Sequence, residues 1–455
     1  MNSASSTEID LADHLQRRNL MIFGMCTGLI YLSAPVLYVG VMQATLCEKL
    51  YGQKIDVIAN LPKTMYLAAT VFPIFIAWLI PYVRALKGLI AISFGFNALA
   101  IGFVGWMLLR PDISPLVKIW GVILQGTLSG CVLPAAVAFM WEVLGRGVRE
   151  SRRGLALALG FGVGPFLAFF GSLLSQVILE GRLKIPWGGG RWELPRGTFG
   201  LPGWADTFPG NYALLFCLIA PCMGIAAVLS CAFVVPLPEV ELKRLSFRDA
   251  IWGGVWDFLR NRVLFWAACF TMLAYAENLM DSNLALYTKH ALAGSTEDYS
   301  GLSNALRFFV KGITGLCLGW LLTRTSPRTG LLVTSGIYLL ALVYGMLVTG
   351  PWYLLVFGLY GAGELVGVYA PNYILSASPP ENMRRNMAFT TMLMAPISLI
   401  GPVFGGVSQY LGEMTSIATG YRLSFALCAV LQLMAFGIAW WILPPRPGSV
   451  RSNSQ

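Results

Sequence analysis

Long apolar runs alternate with short polar segments along almost the whole chain. Twelve of these runs approach or exceed the roughly 20 residues that a helix needs to cross a bilayer. A chain in lipid must satisfy its backbone hydrogen bonds internally, and runs of this length do so as helices. The pattern therefore predicts an all-α polytopic membrane protein. Its predicted spans are 20–43, 61–83, 87–109, 115–140, 154–179, 211–235, 263–288, 303–323, 328–349, 352–375, 386–411 and 421–443.

A polar break at residues 236–262 divides the twelve predicted spans into two sets of six. Within the break, Ser246 and Asp249 fit a helix capping box, and the aromatic run that follows suits a helix lying in the membrane interface. A polar linker without fixed structure is the alternative. The predicted organisation is a cytoplasmic tail (1–19), a first six-helix bundle (20–235), a cytoplasmic central loop (236–262), a second bundle (263–443) and a cytoplasmic tail (444–455).

The longest predicted external segment is 180–211, and it is rich in glycine and proline. This composition argues against regular secondary structure. Two interpretations stay open: the segment covers the external mouth of the protein, or it is an insertion that the fold tolerates.

Composition supports a membrane protein and explains the positive charge. The chain is 56% hydrophobic and only 12% charged, with a mean hydropathy of +0.67, whereas soluble proteins carry about 25% charged residues. With both termini inside, 19 of the 32 basic residues fall in cytoplasmic segments. Because basic residues concentrate in cytoplasmic loops, the net charge of +10 does not indicate nucleic-acid binding. The sequence has no Asn-x-Ser/Thr acceptor, which favours a bacterial inner membrane over a eukaryotic cell surface.

The cysteines and histidines do not predict a metal centre. The nine cysteines show no Cys-x-x-Cys spacing, and only His14 and His290 could supply imidazole ligands. The sequence also lacks a nucleophile elbow or another enzyme motif. We therefore expect no cofactor, no metal and no enzymatic activity, and we expect a monomer in the lipid bilayer.

Four charged residues lie inside two consecutive predicted spans. Glu277 and Asp281 are in the seventh span, and Arg307 and Lys311 are in the eighth. Each charge costs roughly 2.5–3.5 kcal/mol at the bilayer centre, so four charges in two consecutive spans indicate a structural or functional role. Antiparallel packing predicts that Glu277 pairs with Lys311 and Asp281 with Arg307. These pairs either line a polar cavity or clamp two helices together. Apart from Lys63, near the predicted outer end of the second span, the first half has almost no intramembrane charge.

An internal repeat relates the fifth span of each half. Arg152-Arg153 precedes Pro165 and then Ser175-Gln176, and Arg384-Arg385 precedes Pro396 and then Ser408-Gln409, with spacings that agree within two residues. A parallel repeat of six spans is the architecture of one large class of transporters.

Two short motifs accompany the repeat. The first is Gly319-Trp-Leu-Leu-Thr-Arg324-Thr-Ser-Pro-Arg328, after the eighth span. The second is Gly401-Pro402-Val-Phe-Gly405-Gly406, with a partial copy at Gly164-Pro165. With these features the chain resembles the Major Facilitator Superfamily (MFS) over nearly its whole length. The first motif resembles the family's cytoplasmic loop motif, with Thr323 where an acid is usual. The second resembles its helix-interface motif.

The resemblance implies that the first, fourth, seventh and tenth spans line a central cavity. Hydrogen bonds between helices are the alternative role for the polar residues of the first and fourth spans. The candidate substrate residues on these spans are Tyr31, Tyr38, Gln125, Asn278, Asn283, Tyr369 and Asn372.

The resemblance implies a secondary active transporter that moves a small organic solute by alternating access, coupled to protons. An uncoupled facilitator or efflux protein, and a transport-inactive membrane sensor or assembly factor, are the alternatives. The proton-coupling candidates are Glu364, Glu277 and Asp281. Among them Glu364 is favoured, because it lies near mid-depth in the tenth span with no basic residue in its own span and none at similar depth in the ninth and eleventh.

Overall fold

The computed structural model is almost entirely helical. It describes residues 11–51, 56–80, 82–148, 160, 163–184, 187, 191–193, 203–236, 246–248, 253–292, 297–322, 324–378, 386, 389–390 and 392–447. Nine helices in these ranges are long and apolar enough to cross a membrane. The first, fifth and eleventh predicted spans are also helical, although the first and eleventh are interrupted and the described part of the fifth is short. The predicted architecture of twelve spans is confirmed.

The first half contains six spans with some shifted boundaries. The first span runs through residues 13–51, longer than predicted, and the second begins at Asp56 rather than at residue 61. The helices of the six spans, in order, are Asp13–Leu32, Ala34–Leu37 and Val41–Tyr51; Asp56–Ala68, Ala69–Val71 and Phe72–Leu79; Val83–Ala85 and Leu86–Leu108; Pro115–Gly147; Gly164–Glu180; and Gly210–Ser230.

The second half repeats the arrangement of six spans. The helices, in order, are Arg262–Tyr275, Ala276–Leu279 and Asp281–Ala291; Glu297–Leu322; Pro327–Leu347; Pro351–Leu354, Leu355–Gly363 and Val366–Ala377; Met394–Ser398 and Ile400–Met414; and Ile417–Gly437 followed by the π-helical turn Ile438–Ile442. Side chains that these helices expose are often large and apolar, such as Leu347 and Trp441, as expected where a helix faces lipid.

The segment after the fifth span has regular structure, so the prediction made from its glycine and proline content is wrong. Strands Arg182–Lys184 and Arg191–Glu193 form an antiparallel pair, and the 3₁₀ turn Gly203–Asp206 leads into the sixth span. The Trp187 ring lies 6.1 Å from that of Trp352, at the start of the tenth span. Trp187, which lies between the two strands in the sequence, therefore contacts the second half of the protein.

The central loop contains the helix Gly254–Arg260, which covers part of the predicted interfacial helix. Its Trp256 is exposed, whereas Phe258 is buried against Phe389. The proposed capping partner Asp249 lies outside the described residues.

Close approach of the second and fourth spans determines where Lys63 lies. A Cβ atom at Gly126 would come within 2.6 Å of the Pro62 carbonyl oxygen, and one at Gly130 would collide with the Tyr66 backbone. Residues with side chains could not pack this tightly. The earlier start of the second span places Lys63 about 10 Å inside the helix, counted from Asp56.

Three spans that were expected to line the cavity are interrupted near their middle. The first span breaks at Ser33 and again at residues 38–40, and the seventh narrows to a 3₁₀ turn at Ala276–Leu279. The tenth breaks between Gly363 and Val366, at Glu364. The fourth span is continuous from Pro115 to Gly147. Interruptions inside a membrane are tolerated where they line a cavity or are buried in protein, and in transporters they often mark the binding site.

Candidate functional site

Arg307 lies at the centre of a buried group of charges between the interrupted spans. Its guanidinium is bidentate to the Glu364 carboxylate: Nε donates to Oε2 over 2.9 Å, and Nη2 donates to Oε1. Nη1 lies 3.6 Å from Oδ2 of Asp281. The side chain is 1% exposed and lies over the Tyr360 ring. One cation thus holds carboxylates from two different spans.

Glycine in the tenth span makes this contact possible. A Cβ atom at Gly361 would collide with the backbone of Arg307, so the eighth and tenth spans touch at this point. Glu364 follows three residues later, on the same helical face. The backbone contact therefore places Glu364 within reach of Arg307.

Lys63 brings the first half of the protein into the same group. Its Nζ lies 3.4 Å from Oδ2 of Asp281, and both side chains are buried. Asp281 also contacts Gly40, where a Cβ atom would collide with the carboxylate. The predicted pairing of Asp281 with Arg307 is confirmed, and Lys63 is a second partner that the sequence analysis did not assign.

Glu277 does not pair with Lys311, so that prediction is wrong. Lys311 Nζ instead donates to Oε2 of Glu364 over 3.3 Å. Glu277 is completely buried on the 3₁₀ turn, and neither of its carboxylate oxygens has a hydrogen-bond partner in the part of the chain that the structure describes. The predicted pairing assumed that the seventh span is a continuous helix. Its interruption at Ala276–Leu279 changes the helical phase at Glu277.

Glu364 was expected to have no basic neighbour, and this expectation is also wrong. Both Arg307 and Lys311 bind it. The tenth span packs against the eighth, which carries both basic residues. Of the two carboxyls, Glu277 is the one without a counter-ion among the described residues.

Aromatic rings lie beside Lys311. Its Nζ is 5.8 Å from the ring centroids of both Tyr38 and Phe308. Tyr31 stacks on Tyr38 at 6.1 Å and meets Phe308 edge-on. The cavity candidates Tyr31 and Tyr38 are therefore next to the charges, together with Phe308, which the sequence analysis did not select.

Of the remaining cavity candidates, one lies beside a buried charge and others form hydrogen bonds between or within helices. Asn278 lies beside Glu277 and donates to the Tyr338 hydroxyl over 3.2 Å. Asn283 bridges the two halves, because its Oδ1 accepts from Asn60 over 2.8 Å and its Nδ2 donates to the Phe404 carbonyl oxygen. Gln125 donates to Ser129 within the fourth span, as expected of a residue with a structural role.

Tyr369 and Asn372 lie beyond the interruption of the tenth span. Tyr369 is buried, and its ring packs against Gly330 of the ninth span. Asn372 is exposed. Among the described residues, neither makes a hydrogen bond or ring contact with the charged group around Arg307, so the tenth span contributes Glu364 and Tyr360 to that group.

The two halves are joined at the end of the bundle away from the chain termini. Asp56 accepts hydrogen bonds from Ser408 over 2.8 Å and from Tyr421 over 2.9 Å. Gln176 accepts from the Gly301 backbone over 2.6 Å and donates to the Asp298 carbonyl oxygen. Lys289 lies 3.5 Å from Glu48. These contacts close one end of the space between the halves.

Known transporters share this fold over nearly the whole chain. The nucleoside transporter NupG superposes with a TM-score of 0.62 at 11% identity, covering 94% of this chain and 99% of its own. The MFS transporter FucP, in the outward conformation, gives 0.57 at 17%, covering 92% and 99%. The peptide transporter POT, in complex with sulfate, gives 0.61 at 15%, covering 95% of each chain. No protein-family model matches the sequence, and the search of curated proteins finds no match.

The chain has the MFS fold. The predicted resemblance is thereby confirmed at the level of architecture. In this fold the two halves meet across a central space, and the group around Arg307 lies there, with Lys63 from one half and Asp281 from the other.

Only some glycines of the helix-interface motif lie at close contacts between helices. Gly401 packs against Thr64, and a Cβ atom at Gly405 would lie 2.6 Å from the Asp56 carbonyl oxygen. Gly406 has open space around its Cβ position, so it makes no close helix contact in this arrangement of the halves. Pro402 lies beside Gly401 and is half-buried.

The partial copy of this motif also lies at a contact. A Cβ atom at Gly164 would collide with the Tyr31 ring, and Pro165 touches the Cβ position of Gly312 in the eighth span.

We expect Gly405→Leu to block transport while leaving membrane insertion intact. The larger side chain would collide with the second span and disfavour this arrangement of the halves by about 1–3 kcal/mol. Initial rates of solute uptake, normalised to the amount of inserted protein, measure the effect. Gly406→Leu is the matched control, because its position is open. Equal rates for wild type and Gly405→Leu would show that the close contact is incidental.

Arg324 and Arg328 of the loop motif after the eighth span make contacts at the end of the bundle near the chain termini. Arg328 donates to the Leu443 carbonyl oxygen over 3.1 Å, which ties the start of the ninth span to the end of the twelfth. Arg324 stacks over the Trp320 ring at 4.3 Å. A Cβ atom at Gly319 would meet nothing within 4 Å, so this glycine is not required by a close contact.

Proposed function

We propose that the protein is a secondary active transporter that moves a small organic solute across the membrane by alternating access, coupled to protons. The observation that carries the proposal is the buried charge group formed by residues of both halves around Arg307. A group shared between halves changes when the halves move relative to each other. Ionisable residues inside a membrane are costly and usually serve transport or proton transfer.

The helix interruptions support a solute site at the same place. Breaks in the first, seventh and tenth spans leave backbone groups and polar side chains beside Arg307, Tyr38 and Glu277. Three solved structures with the same fold carry the names of nucleoside, fucose:proton and peptide transporters. These names support a transporter of small polar molecules.

The contacts that close one end of the space between the halves support alternating access. With the termini inside, as the basic residues predict, the contacts of Asp56, Gln176 and Lys289 close the external side. This arrangement corresponds to a conformation closed to the outside. Opening outward would break these contacts, as alternating access requires.

Uptake into proteoliposomes tests the proposal. Purified protein is reconstituted, and accumulation of labelled organic solutes is measured with and without an inward proton gradient. We expect accumulation above the external concentration only when the gradient is present. Equilibration without accumulation would favour the uncoupled facilitator. Failure of every solute class to enter above protein-free vesicles would favour a transport-inactive membrane sensor.

A further inference from the structure

The buried ionic network contains more cations than carboxylates. Lys63, Arg307 and Lys311 are linked to only two carboxylates, Asp281 and Glu364. Glu277 is the third carboxyl nearby, but it makes no ion pair or hydrogen bond with any of the three within the described ranges. The contacting groups thus have a net charge of +1 when all are ionised.

An uncompensated buried cation is costly. Removing an ion from water costs several kcal/mol in a real protein unless partners compensate it. Arg307 is well compensated because its guanidinium meets two carboxylates. The excess charge therefore resides with the two lysines.

Both lysines have hydrogen-bonding capacity to spare. An ammonium group has three N–H donors, yet among the described residues Lys63 and Lys311 each have one polar partner, at 3.4 Å and 3.3 Å. They come from opposite halves and are linked through Arg307, since Lys63 contacts Asp281, Lys311 contacts Glu364, and Arg307 contacts both carboxylates. Lys311 is the more accessible, with 11% of its side chain exposed against 5% for Lys63. The two ammonium groups could share one anion between the halves.

The surroundings of Lys311 suit an anion with an apolar body. Tyr31, Tyr38 and Phe308 pack together beside its ammonium group. Such rings cover hydrophobic parts of a ligand, while the lysines fix its charged end.

Building on the transport function proposed above, we propose that the substrate is a small organic carboxylate whose charged group binds between Lys311 and Lys63. Its single negative charge balances the network, and its apolar body lies against Tyr38, the half-buried member of the aromatic group. A proton carried by Glu277 would make the loaded carrier electroneutral. An anion bound by residues of both halves would also favour the state in which the halves are closed around it.

Binding to the purified full-length protein tests the carboxylate assignment. Thermal unfolding in detergent is followed with benzoate, phenylacetate, butyrate and hexanoate, and with the matched amides and amines. Phenyl phosphate tests the other common anionic group. We expect carboxylates of this panel to raise the unfolding temperature, and amides and amines to leave it unchanged. Equal shifts from amides or amines, a shift from phenyl phosphate alone, or no shift from any carboxylate would overturn the assignment.

Lys311→Gln provides a test in the same assay. We expect this variant to lose about tenfold or more in carboxylate affinity, the loss expected when one charged contact is removed. Its stability without ligand should equal or exceed that of wild type, because two cations then face two carboxylates. Lys118→Gln is the matched control, since Lys118 is a buried lysine on the fourth span outside the network. Undiminished carboxylate binding by Lys311→Gln would contradict the inference.

Transport measurements separate this inference from the proposed function. Proton-driven accumulation of a neutral or cationic solute would retain the transporter and overturn the carboxylate site. Carboxylate binding that depends on Lys311, without uptake into proteoliposomes, would retain the site and contradict transport.

Discussion

Glu364→Gln is expected to destabilise the protein strongly. The substitution removes the carboxylate that binds both Arg307 and Lys311, and leaves three buried cations with Asp281 alone. Breaking a buried ion pair by removing one partner costs about 3–5 kcal/mol, because the remaining charge is uncompensated. Thermal unfolding of the purified variant, together with its yield in the membrane, measures the effect. The loss should exceed that of any other single neutralisation in the network.

A double substitution distinguishes charge imbalance from lost packing. Adding Lys311→Gln to Glu364→Gln reduces the excess positive charge by one, so we expect it to recover part of the stability. Lys118→Gln is the control background, since it removes a buried lysine that is not in the network. If Glu364→Gln unfolds at the same temperature as wild type, the pair with Arg307 does not stabilise this fold.

The architecture could be predicted because it depends on local properties of the chain. Long apolar runs determine which segments cross the bilayer, and the two sets of six appear as the polar break at residues 236–262. The boundary of the second span, in contrast, depends on contacts that are distant in the sequence. The second span begins before its apolar run, at Asp56, because that carboxylate accepts hydrogen bonds from Ser408 and Tyr421 of the other half.

The pairing of charges could be predicted only where two helices are neighbours along the chain. Asp281 and Arg307 lie on consecutive spans and do meet. The partners of Glu364 come from the eighth span, two spans away along the chain, and are brought close by the missing side chain of Gly361. Nothing in the pattern of apolar residues specifies which non-consecutive helices touch.

The interruptions of the helices limited the prediction of the site further. Depth along a helix follows from a constant rise per residue, and the 3₁₀ turn at Ala276–Leu279 violates that assumption where Glu277 lies. Lys63 was visible in the sequence as an isolated intramembrane charge. Its contact with Asp281 crosses between the halves, and such contacts depend on the conformational state of the protein.

The unpaired carboxyl of Glu277 is the group that we propose as the proton carrier. It is completely buried with no hydrogen-bond partner for either oxygen among the described residues. An isolated carboxylate in such a place is costly, and a bound proton removes the charge. Glu364, in contrast, is held by two cations that would have to be released before it could exchange a proton. Glu277 also lies on the interrupted part of the seventh span, where a change of conformation can alter its access to water.

Glu277→Gln is therefore expected to abolish accumulation driven by a proton gradient while retaining exchange of solute across the membrane. Glutamine keeps the shape of the side chain but cannot carry a proton, and no ion pair between Glu277 and a described residue is lost. The thermal stability of the variant should consequently equal or exceed that of wild type, unlike that of Glu364→Gln. Proteoliposome assays of gradient-driven uptake and of counterflow, performed on the same preparation, measure the two activities. Glu277→Asp serves as the conservative control, since it keeps a carboxyl at this position and should retain part of the gradient-driven uptake. A Glu277→Gln variant that still concentrates solute against its gradient would show that the coupled proton binds elsewhere.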